Sequence, residues 1–143
     1  MAYQKYSLNS KGQPHLINLP RFLDPRGNLS FIEEDTHLPF EIRRVYWIYD
    51  VPGGEQRGGH AFRETEELIV ALSGSFDVVL HDGLKEYKFS LNRSYYGVYV
   101  SKMIWRMLDN FSTNSLALII ASTDYSEKDY IRDFEEFQEM IER

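Results

Sequence analysis

His60 is the histidine that stands in a recognisable pattern in this 143-residue chain. It lies at the entrance to a predicted strand in the sequence Gly54-x5-His60-x-Phe62-x4-Glu67-x6-Gly74. An imidazole titrates close to neutral pH, so it can transfer protons or, when neutral, bind a metal ion. The alternative is a partly buried strand histidine with a purely structural hydrogen bond. His37 and His81, in a polar loop and beside a turn, are expected at the surface.

Several arginines lie inside apolar segments, which is unusual for an acidic protein. Guanidinium groups bind phosphate or carboxylate in a forked geometry, so these residues indicate an anion pocket or ion pairs with the many acidic residues. Arg43 and Arg44 are neighbours and must face opposite sides of a strand. Arg106 follows Trp105 in an apolar run, and a buried guanidinium needs a partner. That partner is either Glu67 or a ligand.

Short strand-like runs separated by turns position these residues and predict an all-β sandwich or barrel. Aromatic residues, which favour strands, make up 15% of the chain. Asp82-Gly83 predicts a hairpin between its flanking strands. The predicted strands are Leu29–Glu33, Glu41–Tyr49, Glu67–Leu72, Phe76–Leu80, Lys85–Leu91, Tyr95–Val100, Ile104–Leu108 and Leu116–Ser122.

The end of the chain has a helical pattern, and we expect one helix over 126–142. The apolar residues Tyr130, Phe134, Phe137 and Ile141 follow helical spacing. Ser126 and Asp129 have the spacing of a capping box at the start of that helix. The whole chain is therefore predicted to be one domain, with an N-terminal arm or strand over about 1–28, a barrel over 29–123 and a C-terminal helix packed against it.

The composition excludes several classes of protein. The absence of cysteine excludes disulfide scaffolds, thiolate zinc clusters and thiol nucleophiles. A formal net charge of −6 argues against general binding to nucleic acid. No apolar run approaches the roughly 18 residues of a membrane span, and the first residues lack the pattern of a signal peptide. We therefore expect a soluble cytoplasmic protein without nucleic-acid or membrane partners.

The pattern around His60 resembles the first motif of the cupin superfamily, Gly-x5-His-x-His-x3-4-Glu-x6-Gly. In that motif the ligands share one strand face at the barrel mouth, and Glu67 would join His60 from the same strand. The second cupin motif ends in His-x3-Asn, where this chain has Arg106-x3-Asn110. Phe62 and Arg106 thus replace two of the four usual metal ligands, and neither can bind a divalent cation. A metal-dependent oxygenase of this superfamily is therefore disfavoured.

A more specific resemblance covers nearly the whole chain. The segments DPRG (24–27), PFEIRRVYWIYD (39–50), RGGHAF (57–62), WRM (105–107) and DYIRDFEEF (129–137) are similar to those of the sugar-nucleotide 3,4-ketoisomerases. These metal-free WxcM-like cupins act on dTDP-4-keto-6-deoxyglucose. The resemblance implies a jelly-roll barrel, no metal or other cofactor, and a homodimer with an exchanged N-terminal strand. It also implies a role in deoxysugar synthesis for glycan precursors such as those of O-antigens or S-layers.

The resemblance also implies roles for individual residues. His60 would be the base that removes the C3 proton, and Tyr46 the active-site phenol that donates or shuttles a proton. Arg44 would hold an oxyanion or the diphosphate. Four further residues would line the sugar site or support it: Arg26, Arg106, Glu67 and Phe62.

The chain departs from the family at the second histidine of the His-x-His pair, which is Phe62. Arg26 and Arg106 together fit neither the gluco nor the galacto branch, so the sequence does not set the product configuration. Two functions remain open at this point. One is an active ketoisomerase, and the other is a catalytically altered cupin that binds a dTDP-sugar as a binding module or partner subunit.

Overall fold

The computed structural model describes residues 12–142, and strands joined by short turns make up most of its regular structure. Two helices, α1 (Glu34–His37) and α2 (Phe134–Glu142), and a 3-10 turn at Glu127–Asp129 accompany the strands. The strands in this part of the chain are β1 (His15–Asn18), β2 (Arg44–Tyr49), β3 (Arg57–Phe62), β4 (Glu67–Ser73), β5 (Phe76–His81), β6 (Glu86–Leu91), β7 (Tyr96–Val100), β8 (Trp105–Asp109), β9 (Leu116–Ala121) and β10 (Tyr130–Ile131).

The strands form two antiparallel sheets packed face to face. The first sheet has the order β1-β7-β4-β9-β2, and the second has the order β10-β3-β8-β5-β6. The predicted hairpin at Asp82-Gly83 is present: His81 pairs with Glu86 across it, and Gly83 takes a φ of 103° that favours glycine. This is the predicted cupin-type jelly-roll barrel with a C-terminal helix.

Apolar side chains from both sheets fill the space between them. Because side chains alternate along a strand, Glu67 points to the same side as Ile69, and Arg106 to the same side as Leu108. Two charged residues are thereby placed at one end of an apolar interior. The interior cluster includes Ile69 and Ala71 of β4, Val78 and Leu80 of β5, Val98 and Val100 of β7, Leu108 of β8 and Ile119 of β9.

Separate segments cover the outer faces of the two sheets. Ile17 of β1 and Phe40 lie in a cluster with Leu68 and Val70 against the first sheet. Phe137 of α2 is fully buried in a cluster on the outer side of the second sheet, so the helix packs against the β body as predicted. No helix within residues 12–142 is long and apolar enough to cross a membrane.

The structure corrects one predicted strand and the predicted exposure of His37. Residues 29–33 form no strand, and Leu29 makes only an isolated bridge to Phe22. The following turn is closed by the ring of His37, which accepts a hydrogen bond from the Glu33 N–H at 2.8 Å and is buried, not at the surface. β3 was not predicted, whereas β1 lies within the predicted N-terminal arm or strand. Part of the predicted N-terminal arm, residues 1–11, lies outside the described residues.

The C-terminal helix begins later than predicted, at Phe134. Ser126 makes no side-chain cap. The Asp129 carboxylate instead accepts a hydrogen bond from the Glu64 N–H at 2.6 Å, which ties the 3-10 turn to the loop before β4. The next two residues extend into β10 and pair with β3. This long-range pairing replaces the first turns of the predicted helix and adds a strand to the second sheet.

Candidate active site

Four polar side chains form a continuous chain of contacts in the barrel interior. Arg106 Nη1 lies 2.8 Å from His60 Nε2, and Arg106 Nε lies 2.7 Å from Glu67 Oε1. The Tyr46 hydroxyl donates a hydrogen bond to Glu67 Oε2. His60 is 7% exposed, and Arg106 and Glu67 are each 1% exposed. Such a buried set of acid, base and cation is a candidate for proton-transfer chemistry.

The strands bring these residues together from both sheets. His60 of β3 and Arg106 of β8 are cross-strand partners, whereas Glu67 begins β4 and Tyr46 lies on β2 in the opposite sheet. The ion pair therefore joins the two sheets, and the prediction that Glu67 follows His60 on one strand is wrong. Gly58 leaves room for the guanidinium, because a Cβ at this position would lie 2.8 Å from Arg106 Nη1.

The contact with Arg106 fixes the protonation of His60. A guanidinium can only donate hydrogen bonds, so His60 Nε2 is the acceptor and the ring proton is on Nδ1. Burial, followed by the positive charges of Arg106 and Arg132, lowers the pKa of His60 to about 3. The imidazole is therefore neutral at physiological pH, which is the state required of a proton acceptor.

Arg106 and Tyr46 both keep their protons at neutral pH. Burial chiefly raises the pKa of Tyr46, and its hydrogen bond to Glu67 adds to that rise. Burial is the largest influence on the pKa of Arg106 and would lower it, but Glu67, Tyr46 and Tyr130 together outweigh burial and the pKa is raised. Arg106 Nη2 is buried and has no hydrogen-bond partner among residues 12–142. An unsatisfied buried donor of this kind is expected to meet a ligand acceptor.

We predict that His60 makes the protein sensitive to acid. The pKa of His60 is about 3 in the folded protein and about 6.5 in the unfolded chain. Below about pH 6.5 the unfolded chain therefore binds a proton that the folded protein does not, and the free energy of unfolding decreases as the pH falls toward 3. Between about pH 7 and pH 5 this amounts to about 2 kcal/mol of unfolding free energy. Urea unfolding should show that His60→Asn loses less stability over this interval than the parent protein. Equal losses would contradict the prediction.

Aromatic rings enclose His60 on one side. Its ring centroid lies 4.8 Å from that of Phe62 and 4.9 Å from that of Tyr130, both in edge-to-face contact. The guanidinium of Arg132 lies 4.3 Å from the Tyr130 centroid and is ion-paired with Glu127 at 2.8 Å. An apolar wall with charges beyond it suits a ligand that has both a sugar ring and an anionic group.

The predicted substrate-binding residues take different positions. Arg44 shares the inward face of β2 with Tyr46, and its guanidinium lies 5.4 Å from the Tyr46 ring and 5.7 Å from that of Tyr125. Glu67, Arg106 and Phe62 lie in the site itself. Arg26 does not join them: its side chain is 90% exposed and pairs with Asp24 at 2.9 Å. A role for Arg26 in substrate binding stays a prediction.

Two residues of this site were not predicted from the sequence. Tyr130 and Arg132 reach it because β10 pairs with β3 and sets Tyr130 opposite Phe62. The helical spacing assigned Tyr130 to the helix. The available signal was the DYIR segment, which the family resemblance contained but to which no role was given.

The donor set does not fit a cupin metal ion. His60 and Glu67 match two of the usual ligand positions, but both contact Arg106, whose positive charge repels a cation at ligand distance. No group of three or more metal-ligating side chains occurs within residues 12–142.

Fold and site together define a cupin-type barrel with a buried acid–base site between its two sheets. The chain belongs to the family described as "FdtA: WxcM-like, C-terminal", which matches residues 12–142. A relative from Aneurinibacillus thermoaerophilus, a TDP-4-oxo-6-deoxy-alpha-D-glucose-3,4-oxoisomerase, is 39% identical over 126 residues. The match covers 88% of this chain and 91% of that protein.

Solved structures agree with this assignment. A 3,4-ketoisomerase from Helicobacter canadensis has a TM-score of 0.89 and 37% identity, covering 92% of this chain and 99% of that one. A variant of the 3,4-ketoisomerase QdtA from Thermoanaerobacterium thermosaccharolyticum, in complex with TDP-4-keto-6-deoxyglucose, has a TM-score of 0.88 and 29% identity. That match covers 90% of this chain and 94% of QdtA.

Proposed function

We propose that this protein is a sugar-nucleotide 3,4-ketoisomerase that acts on a dTDP-linked 4-keto-6-deoxyhexose. Membership of the family and the named activities of its relatives support the reaction class. The QdtA complex with TDP-4-keto-6-deoxyglucose supports the class of substrate.

The reaction moves a carbonyl group between neighbouring carbons. A base removes the proton on C3, whose electron pair forms the C3=C4 bond while the C4 oxygen gains negative charge. That oxygen then takes a proton, the C3 hydroxyl gives one up, and a proton adds to C4. The product carries its ketone at C3 and a hydroxyl at C4, with no net change in protons or electrons.

The observation that carries this proposal is the buried guanidinium of Arg106 beside a neutral imidazole. Its Nη2 has no partner among the described residues and can donate to an oxygen that becomes negative during the reaction. Donors that are already oriented toward developing charge usually make the largest contribution to catalysis. Glu67 holds the guanidinium through the ion pair at 2.7 Å, so little rearrangement is needed.

His60 is the proposed base at C3, and its protonated ring then supplies the proton that adds to C4, which restores the neutral imidazole. To accept a proton at Nε2 it must lose the hydrogen bond from Arg106 Nη1. The enediolate oxygen is an alternative acceptor for that guanidinium, and its negative charge offsets the positive charge that helps to keep the pKa of His60 low. The basicity of His60 therefore rises as the C4 oxygen of the sugar becomes negative.

Arg44 is the proposed contact for the diphosphate. Its Nε is buried and has no partner within residues 12–142, and its guanidinium lies at the aromatic edge of the site. We predict that Arg44→Glu weakens dTDP binding by about 10- to 100-fold, because the new carboxylate repels the negatively charged diphosphate. Titration calorimetry measures this affinity. Arg43→Glu is the matched control, since Arg43 pairs with Asp124 at 3.2 Å on the opposite face. Equal affinities of the two variants would refute the role of Arg44.

The proposal has three further parts. The protein forms a homodimer, it is located in the cytoplasm, and it acts in the synthesis of deoxysugars for glycan precursors. Support for a second copy comes from β2, which lies at an edge of the first sheet and exposes Val45, Trp47 and Tyr49 along one face. A row of exposed apolar side chains on an edge strand favours association.

The test is incubation of the protein with dTDP-4-keto-6-deoxyglucose in D₂O, followed by NMR. We expect a 3-keto product and deuterium at C4 of the product or C3 of recovered substrate, at rates above a protein-free control. Tight binding of the sugar nucleotide without product or exchange would instead support the alternative of a non-catalytic binding protein.

A further inference from the structure

Tyr130 is a residue of the site whose hydroxyl has no role in the steps assigned to His60, Arg106 and Arg44. It lies on β10 directly opposite Phe62 of β3, and cross-strand partners project to the same face of a sheet. Its ring centroid is 4.7 Å from that of Phe62 and 4.9 Å from that of His60. The phenol of Tyr130, in the DYIR segment, therefore lies at the inner wall of the site beside His60 and Phe62.

The Tyr130 hydroxyl is available to a ligand, whereas that of Tyr46 is not. Tyr46 donates its proton to Glu67. No hydrogen bond joins the Tyr130 hydroxyl to any side chain or backbone group of residues 12–142. The two phenols are close enough to interact electrostatically, and Tyr130 also interacts with Arg106.

The neighbouring groups leave one step of the reaction without a carrier. A proton must leave the C3 hydroxyl and another must reach the C4 oxygen, and a single group that both donates and accepts can serve the two oxygens. Phe62 has no exchangeable proton, and His60 is already assigned to the proton on carbon. A phenol can donate and accept in turn.

We propose that Tyr130 is a catalytic residue that carries the proton between the two sugar oxygens and supplies the transferable proton that position 62 lacks. It donates its proton to the C4 oxygen as that oxygen becomes negative, and it recovers a proton from the C3 hydroxyl as the C3 ketone forms. The phenol is unchanged over a full turnover. This inference rests on the proposed ketoisomerase function. The simpler alternative is that Tyr130 only packs against His60 and Phe62.

Tyr130→Phe separates the two roles, because it keeps the ring contacts and removes only the hydroxyl. We expect kcat to fall about 100-fold while KM stays within about threefold. In D₂O the variant should still exchange the C3 hydrogen of recovered substrate while product formation slows. Tyr87→Phe is the matched control, since the Tyr87 hydroxyl donates a hydrogen bond to Asp82 at 3.1 Å at the hairpin between β5 and β6, and it should retain full turnover.

A second pair of variants tests the link to position 62. An imidazole in Phe62→His would enter the space beside the Tyr130 ring. In that background the Tyr130→Phe change should lower kcat by less than about tenfold, because coupled groups give non-additive effects. Equal losses in both backgrounds would overturn the link, and an unchanged kcat in Tyr130→Phe would overturn the catalytic role. A parent protein without isomerisation would instead refute the proposed function itself.

Discussion

Replacing His60 with asparagine is expected to reduce kcat by about 10²- to 10⁴-fold, the usual contribution of a general acid or base. Asparagine still offers an oxygen that can accept the hydrogen bond from Arg106, so the buried guanidinium keeps a partner. The loss should therefore appear in turnover and not in folding. Steady-state kinetics with dTDP-4-keto-6-deoxyglucose, together with circular dichroism of the variant, measure the two separately.

His81→Asn is the matched control for this experiment. The His81 ring packs edge-to-face on Phe134 at 5.2 Å and accepts a hydrogen bond from the Gly83 N–H at 3.0 Å, away from the four-residue chain of contacts. Its turnover should equal that of the parent protein. Equal turnover in both variants would remove His60 from the mechanism.

The pH dependence of kcat/KM gives a second signature of His60. This parameter reports ionisations of the free enzyme, and burial with nearby Arg106 lowers the pKa of His60 to about 3. The neutral imidazole therefore persists as the pH falls through 6.5, and kcat/KM should not decline there on account of His60. If kcat/KM of the parent protein declined below about pH 6.5 and that decline were absent in His60→Asn, the assignment would be contradicted.

Much of the site could be predicted from local sequence rules. Alternation along a strand correctly placed Arg43 and Arg44 on opposite faces of β2. The high energy of an unpaired buried guanidinium predicted a partner for Arg106, either Glu67 or a ligand, and Glu67 is paired with it in the structure. The first argument succeeds because strand alternation depends only on adjacent residues. The second succeeds because the free-energy cost of burying an unpaired charge applies at any position in a fold.

The parts that could not be predicted depend on contacts between distant segments. β3 has the sequence RGGHAF, and its two glycines weaken the strand signal. Gly58 is nevertheless required there, because the guanidinium of Arg106 passes where a side chain would be. Tyr130 fits the helical spacing of the residues after it, yet its pairing with β3 makes it extended. Neither the Arg106 contact nor this pairing is encoded in the local pattern.

Replacing Arg106 with methionine is expected to lower the free energy of unfolding by about 3–5 kcal/mol. Methionine roughly fills the space but leaves the Glu67 carboxylate charged and buried without its counter-ion. Both side chains are 1% exposed, so water does not compensate. Urea unfolding at about pH 7.5 measures the loss. Arg43→Met is the control, because its exposed ion pair with Asp124 should contribute no more than about 1 kcal/mol.

The size of this effect has a specific cause that one further variant isolates. Adding Glu67→Gln to Arg106→Met removes the uncompensated charge and should recover a large part of the lost stability. A loss as small as that of Arg43→Met, or a double variant less stable than Arg106→Met alone, would mean that the charge of Glu67 is compensated by something other than Arg106.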